Sequence, residues 1–322
     1  MRCHYLLLIL TFIYLTGCTT TFSEDPLLWT YNQGSLPEPN ISLKIKGLGP
    51  CTDNPDRTLK LNSNAPTTIL THGCFSSSGR FRALAEVFAF HGQQTACFTY
   101  DDRDSLMLSS EQLIDAVKQL SPHMNNNNIT IIGHSQGGLI TRKALIQERD
   151  KSLAGISTKI NLVTISTPFN GIDAAAHCGS PWVQALTLGL IIPVCYAISG
   201  DKWHEITEPS NFIQKPGKLI PQVRNYLKIV TDENNTCRRK NKDGLCEEDD
   251  YVFSLAEQYF RPIDQDKRTL IVELPAGHVE IVGDHKIAPR KLISILQRQG
   301  YMKTTASQKK ADLDKLLSYL YN

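Results

Sequence analysis

The pentapeptide Gly133-His134-Ser135-Gln136-Gly137 stands between an apolar run at 128–132 and a stretch at 138–145 with a helical pattern. A strand that turns abruptly into a helix forces the residue at the corner into a strained conformation, so its close neighbours must lack side chains. The serine hydroxyl is then left exposed beyond the end of the strand. At ordinary Gly and Ser frequencies, a G-x-S-x-G pattern arises by chance in roughly one chain of this length in ten. The flanking strand and helix therefore carry the reading, and they predict a nucleophile elbow with Ser135 at its tip.

The rest of the chain repeats the same alternation. Residues 41–46 and 58–61 alternate apolar and polar, which predicts an antiparallel pair at a sheet edge. Strands follow at 67–71, 95–100, 160–165, 226–230 and 269–274. Helices are expected at 81–90, where Phe81, Leu84, Ala85 and Phe88 share a face, and at 110–120, 251–260 and 290–299. Repeated strand–helix units predict an α/β domain: a mostly parallel central sheet with helices on both faces. At 322 residues the chain can bury a large core as a single domain, taken here as 41–322. Residues 172–221 break the rhythm as an insertion, and the tail, about 305–322, ends in an amphipathic helix.

The first residues follow a different logic. Arg2 precedes an apolar run at 5–15 that is too short to span a bilayer comfortably, which predicts a signal peptide over 1–17. Leu15-Thr16-Gly17-Cys18 resembles the lipobox of bacterial lipoproteins, and this resemblance implies acylation of Cys18. Several acyl chains on one residue would hold the protein firmly at a membrane surface. Residues 18–40, with Pro26, Pro37, Pro39 and Gly34 and no periodicity, read as a tether. The expected location is outside the cytoplasm, lipid-anchored to a bacterial membrane. The outer membrane is favoured, with the domain facing the periplasm or the cell surface.

Export reframes the nine cysteines. In an oxidising compartment the sequence-near pairs Cys237/Cys246 and Cys178/Cys195 are the best disulfide candidates, each closing an irregular loop. No Cys/His spacing suggests zinc, so neither a metal site nor a cofactor is expected. Lys and Arg exceed Asp and Glu by only two, and no basic stretch interleaves with aromatics, which argues against nucleic acid as a partner.

The order of elements resembles the α/β-hydrolase superfamily, lipase and esterase branch, over roughly 41–299. The residues that carry the resemblance are His72-Gly73 at a strand end, the elbow, Thr167-Pro168-Phe169-Asn170-Gly171, and Gly277-His278 after the last strand. Phe169 departs from the histidine that many relatives carry. The resemblance implies a chain order of Ser, acid, His, which assigns the general base to His278, with His285 second. Asp250-Tyr251-Val252 resembles the stretch that bears the acid in relatives and makes Asp250 the first candidate. Asp232, directly after a strand, is the alternative, and Asp249 is also open. The implied oxyanion donors are the backbone N–H groups of Gln136 and Cys74, with Phe75 next. The apolar segment 181–194 sits where relatives insert a lid.

These readings converge on a membrane-anchored serine hydrolase that cleaves carboxylic esters, lipid acyl esters above all, through a Ser-His-Asp acyl-enzyme. An acyltransferase or a thioesterase would use the same residues. A non-catalytic surface binding module that retains the fold is the alternative of another class.

Overall fold

The computed structural model describes residues 35–147, 158–175, 200–285 and 287–321. The expected signal segment, Cys18, the expected tether up to residue 34, and the expected lid segment with Cys178 and Cys195 lie outside the described residues.

Eleven strands are assigned among the described residues: β1 (Ile41–Leu43), β2 (Leu48–Gly49), β3 (Leu59–Leu61), β4 (Thr67–Thr71), β5 (Gln94–Phe98), β6 (Asn128–His134), β7 (Lys159–Ile165), β8 (Val223–Asp232), β9 (Cys237–Lys240), β10 (Cys246–Asp249) and β11 (Thr269–Pro275). Seven of them form the central sheet in the order β11-β8-β7-β6-β4-β5-β2. Every pairing in it is parallel except that of β2 with β5. The predicted antiparallel pair forms between β1 and β3, with Ile41 opposite Leu61, but as a separate two-stranded sheet. The antiparallel edge of the main sheet is instead β2, which a turn at Gly47 (φ +84°) lays against Phe98.

Two apolar layers follow from the two-residue period of the strands. Ile69, Ile129, Ile131, Ile160, Leu162 and Tyr226 face one core, where α2 (Leu106–Leu120) and α3 (Gln136–Ala144) pack. Leu70, Ile132, Val163, Ile165, Leu227 and Ile229 face the other, against α1 (Arg82–Phe90), α7 (Arg290–Arg298) and α8 (Lys310–Leu320). The amphipathic tail is thus held to the body by its buried Leu316 and Leu317. β4, β6 and β7 lie in the middle of the sheet and are almost wholly buried, whereas edge strand β11 alternates between half-buried and exposed positions.

Short helices fill the connections: α4 (Asn211–Gln214), α5 (Leu255–Gln258) and α6 (Arg261–Asp264). The helix expected over 251–260 shrinks to α5 for a definite reason. The amides of Val252 and Phe253 donate to the side chain of Glu233, which holds these two residues ahead of the first helical turn. The helix can start only at Ser254, which caps it reciprocally with Glu257.

Two disulfides brace the described residues. Cys237–Cys246 closes the β9–β10 hairpin as expected, and Cys51–Cys97 ties the loop after β2 to β5. Structural disulfides of this kind mark an exported or extracellular protein. Among the described residues no helix is long and apolar enough to cross a membrane.

Candidate active site

β6 delivers the chain to Ser135 in the centre of the sheet, and α3 carries it away. Ser135 caps that helix with φ +56° and ψ −127°, a conformation that L-residues rarely adopt. The glycines on either side leave no room for an alternative. A Cβ on Gly133 would lie 2.4 Å from the Gly137 carbonyl oxygen, and one on Gly137 would lie 2.3 Å from that of His72. The serine amide donates to the carbonyl of Ile165 at 2.9 Å, which locks the corner to the end of β7. The hydroxyl of Ser135 thus sits on the most buried part of the sheet, at the first turn of a helix whose leading N–H groups have no intrahelical partner.

His278 follows β11 in a loop held from both ends. Its amide donates to the carbonyl of Asp250 at 2.9 Å, and its own carbonyl accepts from His134 Nε2 at 2.9 Å. The ring stands edge-on to Phe253, centroids 4.8 Å apart. Its Nδ1 lies 3.0 Å from Glu233 Oε1 and 2.8 Å from Ser166 Oγ.

The carboxylate on His278 is therefore Glu233, which corrects the expectation of Asp250 or Asp232. Asp250 reaches the same loop through its backbone neighbours: its carboxylate accepts from the amides of Val279 (3.0 Å) and Glu280 (2.8 Å). Gly277 is required there, since a Cβ would come within 2.0 Å of Asp250 Oδ2. Asp232 ends β8 and turns its carboxylate to Asn234, at 2.8 Å from the side-chain nitrogen. Consecutive residues of an extended chain point to opposite sides, so when Asp232 faces away Glu233 faces in. Asp249 bonds the amide of Tyr251, and His285 lines a different cavity with Arg82 and Tyr321.

Glu233 is 1% exposed and fully employed. Oε1 also accepts from Ser166 Oγ (2.6 Å) and Thr231 Oγ1 (2.9 Å), and Oε2 from the amides of Val252 (2.7 Å) and Phe253 (2.8 Å). Burial pushes its pKa up, but the bonds from His278, Ser166 and the Phe253 amide outweigh that and hold the carboxyl below its ordinary value. Asp250 shows the reverse balance, with burial raising its pKa despite the Val279 and Glu280 amides. Of the two, Glu233 is the one built to stay ionised beside an imidazole. Ser166 is held at φ +44° and bonds both partners, a role its place before Thr167-Pro168 did not reveal.

The loop after β4 is clamped at each residue. The Tyr100 hydroxyl donates to the His72 carbonyl at 2.8 Å and its ring stacks on the His72 imidazole, centroids 4.4 Å apart. The Phe75 amide donates to Asp102 Oδ2, which occupies the third of the proposed oxyanion donors. Lys202, 2% exposed, places Nζ 3.0 Å from Cys74 Sγ and 2.7 Å from Gln136 Oε1, and also bonds the Asp102 carbonyl. A buried ammonium thus ties together the side chains of the two residues whose amides were expected to face the substrate. Nothing in the sequence around Lys202 signalled this, because its partners are 66 and more residues away. Cys74 has a free thiol whose pKa burial raises, with Lys202 pulling it the other way.

Ser135 and His278 line one cavity of about 280 Å³, together with Gly73, Cys74, Val279 and Val282 and the side chains of Arg80 and Arg238. The disulfide hairpin places Arg238 there, because it adjoins Cys237 on β9.

The family model for palmitoyl protein thioesterases matches residues 67–253, which run from β4 through the elbow and Glu233 to Phe253. A lipase from Bacillus licheniformis, BlEst2 in its propeptide form, superposes with a TM-score of 0.53 at 13% identity over 84% of this chain and 56% of that one. The chain thus spans little more than half the length of that lipase. An esterase from Pyrococcus furiosus matches with a TM-score of 0.43 at 16% identity, covering 83% of this chain and 91% of its own. A putative thioesterase from Silicibacter does so at 0.45 and 14%, covering 84% and 91%. No curated protein matches the sequence. The likeness to the lipase shows an α/β-hydrolase fold, the fold that the order of elements implied.

Proposed function

Because the chain belongs to the palmitoyl protein thioesterase family, a group with the hydrolase fold of esterases, lipases and thioesterases, we propose that it is a serine hydrolase that cleaves acyl esters or thioesters through an acyl-enzyme. The observation that carries this reading is the placement of Ser135 and His278 on one cavity, with the far ring nitrogen of His278 held by the buried Glu233. A serine hydroxyl is a poor nucleophile until a base takes its proton, and the base must present the correct tautomer. With Nδ1–H donated to Glu233, the free Nε2 is the proton acceptor. Ser135 attacks the carbonyl, and His278 passes the proton to the leaving alcohol or thiol. Water, activated by the same ring, then releases the acid. The amides of Gln136 and Cys74 stabilise the oxyanion, each donor contributing about 2.7–4 kcal/mol by analogy with other such sites.

The family's name favours a long acyl chain on sulfur, while the sequence favours oxygen esters of lipids. An anchor at Cys18 would hold the domain beside either substrate at a membrane surface. A fluorophosphonate probe tests the nucleophile: wild type should label and Ser135→Ala should not. Failure of the folded wild type to label would leave the fold as a binding module. Matched palmitoyl oxygen esters and thioesters then rank the two bonds, and product analysis with added glycerol separates hydrolysis from acyl transfer.

A further inference from the structure

The cavity that holds Ser135 and His278 is lined by two guanidinium groups and by no carboxylate among the described residues. Arg80 lies 2.9 Å from Asp284 Oδ1, and Arg238 lies 3.3 Å from Asp284 Oδ2 and 3.2 Å from Glu248 Oε2. Glu248 is shared again, with Arg239 at 2.8 Å. Three arginines thus share two carboxylates, and the positive groups of two of them, Arg80 and Arg238, line the cavity of Ser135. Each guanidinium has five N–H donors in a fixed fork, far more than these pairs engage.

Position decides which end of the substrate meets this charge. Both arginines converge on Asp284, which lies a few residues beyond His278 in the same connection. His278 would deliver its proton to the leaving group, and the lining tied to the His278 connection, Val279 and Val282 within it and the two arginines paired to Asp284, is where that group would lie. Two forks that approach one point from different elements, the loop after β4 and the β9–β10 hairpin, suit a multiply charged tetrahedral anion.

On the serine-hydrolase reading, we propose that Arg80 and Arg238 form an anion subsite, and that the substrate is an acyl ester or thioester whose leaving group bears a phosphate within a few bonds of the scissile atom. The phosphate could belong to a glycerophosphate headgroup or to a thiol, and two matched pairs of substrates separate these sources. One pair is hexanoylglycerol and its 3-phosphate. The other is S-hexanoyl 3-mercaptopropanol and its phosphate ester. In wild type the phosphorylated member of at least one pair should have a kcat/KM at least tenfold higher. In Arg80→Gln/Arg238→Gln that ratio should fall to about one. Asp284→Asn, which releases both guanidinium groups, should raise it, and loss of fold cannot mimic that opposite change. Calorimetry on Ser135→Ala reads the subsite without chemistry: hexanoylglycerol 3-phosphate or the thiol phosphate should bind at least tenfold tighter than its neutral partner. If wild type hydrolyses neither member of either pair while this binding preference stands, the hydrolase reading fails and the subsite survives. Equal binding of the charged and neutral members in both pairs, or a preference that persists in the double variant, overturns the subsite.

Discussion

Replacing Glu233 by Gln keeps the shape of the side chain and removes its charge, and the five hydrogen bonds it accepts make the consequence calculable. The new amide nitrogen must take the place of one oxygen. At Oε2 it would face the amides of Val252 and Phe253, donor against donor at 2.7 and 2.8 Å. At Oε1 it would meet His278 Nδ1 and can satisfy it only by donating, which forces the proton to Nε2. A histidine in that tautomer cannot accept the proton of Ser135. The same acid-to-amide change in serine proteases lowers kcat by about 10⁴, which at 1.36 kcal/mol per decade is about 5.4 kcal/mol of lost transition-state stabilisation. Because the carboxyl is held below its ordinary value, it is ionised in the wild-type fold at any pH above the unfolded value of about 4.3. The defect should therefore span the whole working range. Asp250→Asn keeps one acceptor for the Val279 and Glu280 amides and should cost about tenfold or less, and Asp232→Asn about twofold or less. Initial rates on a fluorogenic ester, with circular dichroism to verify folding, measure all three. A Glu233→Gln enzyme within tenfold of wild type, or an Asp250→Asn enzyme equally impaired, would refute the assignment of the acid.

Lys202→Met should lower kcat by 10–100-fold with little change in KM, because Cys74 and Gln136 lose a shared partner that holds them in place; unchanged affinity for a boronic-acid transition-state analogue would contradict this. The buried His72, His91 and His134 all have pKa values lowered first by burial, so below about pH 6.5 the unfolded chain binds protons that the folded chain refuses. Stability should fall with acidification by up to about 1.4 kcal/mol per histidine for each pH unit, and urea midpoints at pH 7 and 5.5 that coincide would rule it out. Removing Cys51–Cys97, which closes 46 residues, should cost about 4 kcal/mol, against about 2.5 kcal/mol for Cys237–Cys246, which closes nine. Denaturant titration orders the two, and only opening the hairpin that carries Arg238 should alter substrate preference.

What could be read from the sequence depended on how far each signal lay from its partner. The elbow was legible because strand, glycine, serine, glycine and helix are contiguous, and the sheet because its strands alternate visibly with helices. His278 was legible from its address after the last strand. The acid had an address too, directly after β8, but two carboxylates share it. Which of Asp232 and Glu233 points inward depends on strand phase at the sheet edge, and that phase is set by pairing with β7 and β11. The resemblance of Asp250-Tyr251-Val252 to an acid-bearing stretch drew attention to a residue that does meet the loop of His278, through amides instead of the ring. Lys202 and Ser166 left no local trace, since one acts across the gap between an insertion and two loops and the other through a strained backbone.

The stretch from Thr231 to Phe253 shows why a long insertion at this point is tolerated. Glu233 takes the amides of Val252 and Phe253, so the chain leaves and re-enters the site within one side chain's reach. The intervening hairpin is closed by its own disulfide and needs little from the core. Its first strand carries Arg238 to the cavity, and its last residues lead to Asp250, which fixes the loop of His278. Glu233, Arg238 and the Asp250 brace for the His278 loop thus arrive on one segment whose ends are pinned by Glu233. Lengthening the hairpin tip near Gly244, where the surroundings are open, should then leave all three in place and preserve activity on simple esters. A loss of activity on such insertion, with the disulfide intact, would mean that the tip itself reaches the substrate.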